Sequence, residues 1–367
     1  MALDGILDQK RYASRLKSAN YPLLARGRRQ AMSVQYESTR RSQQAHRQVT
    51  SRQITDFADF AGLFDHWNGQ FCQMSRGQFR GIGHVVAGQV VRLFQASTNQ
   101  EILTRGVDDE YATFIPITAR NEATVWQGRR LCAGQMIVKT PEVEYHNQTA
   151  RDTTIIAMLV PMQMVSDASR ILTGKAVDTQ LPAWSAPQIP PKAMERLANS
   201  LSRLLDTSLV SPEVLDSPEG HALEMECLRS LIEAILPVSN TTSLTRWQGN
   251  RASLVKRAID FMHDHLDQPV TALELCSAVG ASDRALRRAF REAFSLGPLA
   301  YFRLMRLHAV RTDLKEARGG EMSVAEIATR WGFGRLGSFS NEYRRQFGEL
   351  PSHTLGVRGA KTSRHGK

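Results

Sequence analysis

The sequence predicts an α+β protein, with a β-rich N-terminal domain, a helical connector and an all-α C-terminal domain. Three patterns support this prediction. Short apolar or alternating runs separated by glycine fill residues 54–190, as in a sandwich or barrel of short strands. Apolar residues at helical spacing follow in 191–236. From Pro269 to Pro351 the chain contains the same helix-turn-helix unit twice.

These patterns divide the chain into six segments. They are a basic arm (1–53), the β-rich domain (54–190), the connector (191–236), a linker rich in Ser, Thr and Asn (237–248), a tandem helix-turn-helix domain (249–357) and a basic tail (358–367). The arm has few apolar patterns, so we expect much of it to be loosely attached.

The β-rich domain is predicted to hold a small molecule, because a barrel with an open mouth can do so. The candidate lining residues are Phe114, Trp126, Glu142, Glu144 and Tyr145. The alternative for each aromatic residue is an ordinary core position. The two histidines considered as imidazole ligands in this domain, His84 and His146, do not belong to a paired-histidine motif, so no metal is expected. A serine elbow, a carboxylate pair and a phosphate loop are all missing from the sequence, so we expect neither an enzyme nor a required cofactor.

The connector is predicted to form two amphipathic helices. The first opens at Pro191, and Ser217 with Pro218 caps the start of the second. Their apolar faces either pack on the β-rich domain or form a dimer contact, and both alternatives remain open.

The repeated unit begins each time with a capping box, in which a hydroxyl residue and a glutamate satisfy free N–H groups at a helix start. The pairs are Thr271 with Glu274 and Ser323 with Glu326. Gly280 and Gly332 end the two short helices and permit a tight turn. The apolar residues expected to pack are Leu275, Cys276, Val279, Leu286 and Phe290 in the first copy, and Ile327, Ala328, Trp331, Phe339, Tyr343 and Phe347 in the second.

The second helix of the first copy carries a basic stripe of Arg284, Arg287, Arg288 and Arg291, at positions i, i+3, i+4 and i+7. Four like charges on one face repel each other, whereas a polyanion against the stripe reverses the sign of that energy. Because this helix of a helix-turn-helix enters the major groove, the stripe predicts contact with DNA. The alternative is a solvated basic surface.

The second copy is less basic on its exposed face. Asn341 is suited to adenine and Ser340 to a base or a phosphate. Arginines there suit phosphates, so this unit is expected to position the protein more than it reads sequence. The predicted DNA-contacting residues of this copy are Arg335, Leu336, Ser340, Asn341, Arg344 and Arg345.

A long helix starting near Pro298 is predicted to join the two units and to end at Gly319 and Gly320. Its arginines, Arg303, Arg306 and Arg311, are expected to be surface charges, with phosphate contact as the alternative.

Charge and composition restrict the classes of partner. The net charge is +11 and the pI about 9.8, which favours an anionic partner, and nucleic acid fits better than membrane. No apolar run approaches the ~18 residues of a membrane span, and the N-terminus lacks a signal core, so we expect a cytoplasmic protein. Four widely spaced cysteines are expected to be buried, reduced thiols and not zinc ligands: Cys72, Cys132, Cys227 and Cys276.

The stretch VAEIATRWGF, followed by SFSNEYRRQFGELPS, resembles the signature of the AraC-type bacterial transcription regulators. The resemblance covers residues 251–355. It implies two recognition helices in successive major grooves of promoter DNA, with Arg284, Arg287 and Arg288 as base readers. It also implies a cupin-like sensing domain, a small-molecule effector, contact with RNA polymerase as an activator, and a homodimer.

Within this family, the runs PVTALELCSAVGASDRALRRAF and WGFGRLGSFSNEYRRQFGELPSHTL resemble the regulators of ethanolamine utilisation. That branch implies ethanolamine with adenosylcobalamin as effector. The alternatives are an AraC-type regulator of a different metabolite, and a DNA-binding protein whose barrel only dimerises. The arm also has an alternative role, in sensing the ligand or touching DNA.

Overall fold

The computed structural model describes residues 48–61, 63, 68–107, 110–127, 129–141, 145–174, 184–238, 246–317 and 322–356. The predicted arm up to residue 47, the centre of the linker, Glu142, Glu144 and the basic tail lie outside these residues.

Within the described residues, the β-rich part forms two antiparallel sheets. The seven-stranded sheet has the order β1-β3-β4-β11-β6-β9-β12, and the five-stranded sheet has the order β2-β5-β10-β7-β8. Strand β1 begins inside the segment that the sequence assigned to the arm. The strands are β1 (Gln48–Ile54), β2 (Asn68–Gln73), β3 (Gly81–Ala87), β4 (Arg92–Thr98), β5 (Ile102–Val107), β6 (Tyr111–Pro116), β7 (Val125–Trp126), β8 (Arg129–Arg130), β9 (Met136–Lys139), β10 (Tyr145–Gln148), β11 (Thr153–Pro161) and β12 (Trp184–Ser185).

The two faces of the seven-stranded sheet belong to two separate cores. One face meets the five-stranded sheet, and the short helix α1 (Phe57–Ala61) adds Phe57 and Phe60 to that inner core. The opposite face is covered by three helices, α2 (Met162–Thr173), α3 (Pro191–Val210) and α4 (Pro218–Ile235). The connector helices therefore pack on the β-rich part, as one of the two alternatives predicts.

The C-terminal part contains the two predicted helix-turn-helix units. The first comprises α5 (Arg246–Asp264), α6 (Ala272–Val279) and α7 (Asp283–Phe294), and the second comprises α9 (Val324–Arg330) and α10 (Leu336–Phe347), followed by α11 (Pro351–Gly356). Helix α8 (Pro298–Glu316) joins them: Tyr301 belongs to the core of the first unit and Val310 to that of the second.

Both predicted capping boxes are present, each with the hydroxyl and the glutamate bonded reciprocally to backbone N–H groups. Gly280 and Gly332 have φ values of 64° and 74°, a left-handed conformation that glycine adopts without strain. The capping pattern in the sequence thus placed the starts of α6 and α9 correctly.

The exposure expected for four residues is wrong. Arg306 and Arg311 are only 9% and 7% exposed, because α8 is enclosed on several sides, so they are not surface charges. Cys132 is exposed in the loop between β8 and β9, and Cys276 is half-buried at the edge of the first unit's core, while Cys72 and Cys227 are buried as expected. Among the described residues, no helix is both long and apolar enough to span a membrane.

Candidate nucleic-acid interface

Helix α7 separates its apolar and basic residues onto opposite faces. The Ser282 hydroxyl caps its start by accepting the Ala285 N–H at 3.3 Å. Leu286 and Phe290 are buried against the core of the first unit. The four arginines of the predicted stripe, Arg284, Arg287, Arg288 and Arg291, are all exposed. The structure therefore presents the stripe to solvent along the full length of the helix.

Two of the four arginines are held by weak local ion pairs. Arg287 Nε donates to Asp283 at 2.7 and 2.8 Å, and Arg288 Nε donates to Glu292 at 3.0 Å. Exposed i,i+4 pairs contribute only about 0.3–0.5 kcal/mol, so a phosphate or a base edge can replace the carboxylate at little cost. In the part of the chain that the structure describes, Arg284 and Arg291 form no ion pair.

Helix α10 presents a mixed surface. Phe339, Tyr343 and Phe347 are buried beneath it. Of the residues predicted to contact DNA in this unit, Ser340 is half-buried. The others are exposed, namely Arg335, Leu336, Asn341, Arg344 and Arg345. Leu336 is 42% exposed at the first turn, which is a position for an apolar contact. The surface of α10 is therefore less basic at its N-terminal end than at its C-terminal end.

Arg311 has a structural position behind the recognition helices. Its guanidinium donates to Tyr343 Oη at 3.2 Å and to Glu349 Oε1 at 2.5 Å. A third contact pairs it with Asp56 at 3.2 Å. These contacts engage Arg311 away from solvent, so the alternative of a phosphate contact does not hold for it.

The space between the two sheets contains two of the predicted effector residues. The rings of Trp126 and Tyr145 lie 5.5 Å apart, and Lys139 Nζ lies 5.0 Å from the Tyr145 ring centre. Trp126 is 3% exposed, and its Nε1 has no hydrogen-bond partner among the described residues. The sequence reasoning missed Lys139, since a lone lysine in a strand of apolar residues gives no signal.

The prediction for Phe114 is wrong. Phe114 is fully buried on the opposite face of the seven-stranded sheet, in the core shared with the connector helices. The sequence of β6 shows that alternate residues lie on opposite faces of the sheet. It does not show which of these faces lies toward the space between the two sheets. Glu142 and Glu144, predicted to line the same space, lie outside the described residues.

A shallow groove lies elsewhere, at the ends of β1, β3, β4 and β11. Its volume is about 450 Å³, and none of the predicted effector residues lines it. Across the described ranges, no group of three or more His, Cys, Asp or Glu side chains could hold a metal ion.

Comparison with known proteins supports the C-terminal assignment. Residues 275–356 match the family described as "Helix-turn-helix domain". The "Probable thc operon regulatory protein" of Rhodococcus erythropolis is 29% identical over 275 residues, which are 71% of this chain and 79% of that protein. The "XylDLEGF operon transcriptional activator 2" of Pseudomonas putida is 31% identical over 106 residues, which are 29% of this chain and 68% of that protein.

Among solved structures, the AraC-like transcriptional activator CuxR is similar to 71% of this chain, over 94% of its own length, with a TM-score of 0.39 and 13% identity.

Proposed function

The chain belongs to the AraC-type transcriptional regulators, and on that premise we propose that α7 and α10 bind successive major grooves of promoter DNA as recognition helices. The observation that carries the proposal is the exposed stripe of Arg284, Arg287, Arg288 and Arg291, opposite the buried face of α7. A stripe of this kind on the second helix of a helix-turn-helix matches the charge and shape of a major groove.

The two helices divide the work unequally in this proposal. Arg284, Arg287 and Arg288 read bases, since arginine can donate two hydrogen bonds to guanine. In α10, Leu336 contacts a thymine methyl and Asn341 contacts adenine. The other residues proposed to contact DNA are Ser340, which reaches a base or a phosphate, and Arg291, Arg335, Arg344 and Arg345, which hold phosphates.

The test begins with selection of preferred sites from random duplexes by the full-length protein. Arg288→Ala should weaken binding to the selected site by about 1–3 kcal/mol and relax base preference at one position. Arg229→Ala is the matched control, because Arg229 is also exposed and paired at i+4, with Glu233, but lies on the connector. An equal loss on every sequence would make Arg288 a phosphate contact, and failure to select any site would refute specific binding.

We further propose that the space between the sheets binds a small-molecule effector. Among the described residues, Nε1 of Trp126 and Oδ1 of its cross-strand neighbour Asn147 have no hydrogen-bond partner, which supports this proposal because buried polar atoms normally have partners. In this proposal Tyr145 and Lys139 form part of the wall. Regulation as an activator, through RNA polymerase and as a homodimer, belongs to the same proposal.

Ethanolamine with adenosylcobalamin is the effector that the sequence resemblance suggests, and no relative named above is described as its regulator. Thermal unfolding with ethanolamine, adenosylcobalamin, both, and other amines and carboxylates tests this. A ligand at a hundredfold excess over Kd adds about 2.7 kcal/mol. A shift that Trp126→Phe removes would support the site. A shift with another metabolite would discard ethanolamine, and no shift with any compound would favour a barrel that only dimerises.

A further inference from the structure

The outer face of the five-stranded sheet is occupied by the first helix-turn-helix unit. Cys72 on β2 and Leu103 on β5 belong to one buried apolar cluster with residues of α5 to α8. Beside them, Arg105 Nη2 lies 2.7 Å from Asp260 Oδ1 on α5. The ring of His146 on β10 meets that of Phe294 edge to face, with 6.5 Å between centroids. The β-rich part thus contacts α7 at its last residue.

The segment that follows β2 holds the second unit. Gln346 Nε2 donates to the carbonyl oxygens of Gln73 at 2.9 Å and Ser75 at 3.1 Å. In return, Gln73 Nε2 and the Gly77 N–H donate to the Gln346 carbonyl at 3.0 and 3.1 Å. Gln346 is 6% exposed and lies in the last turn of α10, so four hydrogen bonds fix that end of the helix.

Helix α8, which joins the units, is held to the same part of the molecule. His308 Nε2 lies 3.1 Å from the Gln73 carbonyl oxygen, and the His308 ring packs edge to face on Phe57. Asp56 forms ion pairs with Arg311 and with Lys315. The contacts therefore reach both helix-turn-helix units and the helix between them.

These contacts lie behind the recognition helices. Phe294 and Gln346 are buried at the C-terminal ends of α7 and α10, while the arginine stripe and Leu336 stay exposed. Docking of the β-rich part thus leaves the predicted DNA face open and restrains the two helices relative to each other.

We propose that the β-rich part acts as a brace, which means that its contacts hold the two recognition helices at a fixed separation and orientation. Arg105 and Gln73 are then positioning residues for DNA recognition. The two helices must reach successive grooves about 34 Å apart. A brace fixes their separation, so the second helix engages without a further loss of orientational freedom. This inference rests on the proposed function of α7 and α10.

The experiment compares two DNAs, the selected site and the same site with the α10 half scrambled, by fluorescence anisotropy with the full-length protein. Arg105→Ala should weaken binding to the complete site by about tenfold, because loosening the brace reduces the benefit of engaging both halves. Binding to the scrambled site should change by less than about twofold, since one helix gains nothing from the brace. Arg105→Lys keeps the charge and should restore most of the loss.

Arg203→Ala is the matched control. Arg203 also pairs with a carboxylate, Glu226, at 3.0 Å, but both belong to the connector helices. It removes the same charge from the protein and should leave both affinities unchanged. Gln73→Ala tests the second unit in the same way, with thermal unfolding to confirm that each variant is folded.

Three outcomes are distinguishable. A loss confined to the complete site supports the brace. Wild-type binding by Arg105→Ala, or an equal loss on both DNAs, overturns it, because a structural defect would weaken both. If the wild type selects no site at all, the proposed function of the recognition helices fails before the brace is tested.

Discussion

The Glu224→Ala substitution tests how the connector is fixed to the β-rich part. Glu224 on α4 is fully buried. One carboxylate oxygen accepts the N–H groups of Val90 at 2.6 Å and Val91 at 2.9 Å, and the other accepts that of Gln89 at 3.2 Å. A single side chain thus satisfies three successive backbone donors in the turn between β3 and β4.

The expected loss follows from these bonds. A buried donor left without an acceptor costs about 1–3 kcal/mol. Gln89 is exposed, so water can replace its bond, whereas Val90 and Val91 are buried and cannot be hydrated without a rearrangement. Two orphaned donors would cost about 2–6 kcal/mol, partly offset because no charge has to be buried. We expect Glu224→Ala to lower the free energy of unfolding by about 3 kcal/mol.

Urea unfolding of the full-length protein measures this loss, and Glu226→Ala is the control. Glu226 lies on the same helix, but its 3.0 Å pair with Arg203 is largely exposed, and such pairs contribute about 0–1 kcal/mol. Equal losses for the two variants would refute the reasoning, because the carboxylate would then contribute no more than a surface charge.

Two further predictions concern the boundary between the β-rich and helical parts. Gly348 has φ 78°, and a Cβ there would lie 2.7 Å from the backbone N of Gln78, whereas Gly280 at φ 64° has no atom within 4 Å of the same position. Gly280→Ala should therefore lower the free energy of unfolding by about 1 kcal/mol, through backbone strain alone. Gly348→Ala should lower it by about 2–3 kcal/mol, because the backbone near Gln78 must also move. Thermal unfolding measures both losses, and equal losses would contradict this reasoning. Burial lowers the pKa of His308 from 6.5 to about 4, so below pH 6.5 the unfolded chain takes up a proton that the folded chain does not. The free energy of unfolding should therefore fall as the pH is lowered from 6.5 to about 4. Denaturation of His308→Gln at several pH values should show that its free energy of unfolding depends less on pH than that of the wild type.

The helical domain could be predicted in detail because its signals are local. The Thr271 and Ser323 capping boxes each lie within four residues, and the arginine stripe of α7 lies within eight. A helix fixes the relative positions of such residues, so spacing alone assigns them to one face.

The features that the sequence did not predict depend on contacts between residues that are distant in the chain. Arg311 has the spacing of a surface residue, but its buried guanidinium contacts Tyr343 and Glu349, more than 30 positions later, and Asp56, 255 positions earlier. Glu224 contacts donors more than 130 positions away, so no local pattern marks it. For Phe114, alternation gives two faces, and only the position of the connector helices decides between them. Of the candidate effector residues, Trp126 and Tyr145 lie in the core between the sheets, as aromatic residues in short strands usually do, and their role in binding an effector stays a prediction.

Strand β10 has a consequence for how such a regulator can diverge. Tyr145 and Asn147 pair with Gly106 and Thr104 toward the space between the sheets, while His146, between them, contacts Phe294 of the helical part. The odd-numbered residues of β10 thus form an inward set, and the even-numbered residues form an outward set that faces the helical part. A substitution in one set leaves the side chains of the other set in place. If the space between the sheets binds an effector as proposed, libraries that randomise only the inward set should alter effector preference and keep the contacts with the helical part. A single-residue insertion would exchange the two sets and should abolish both.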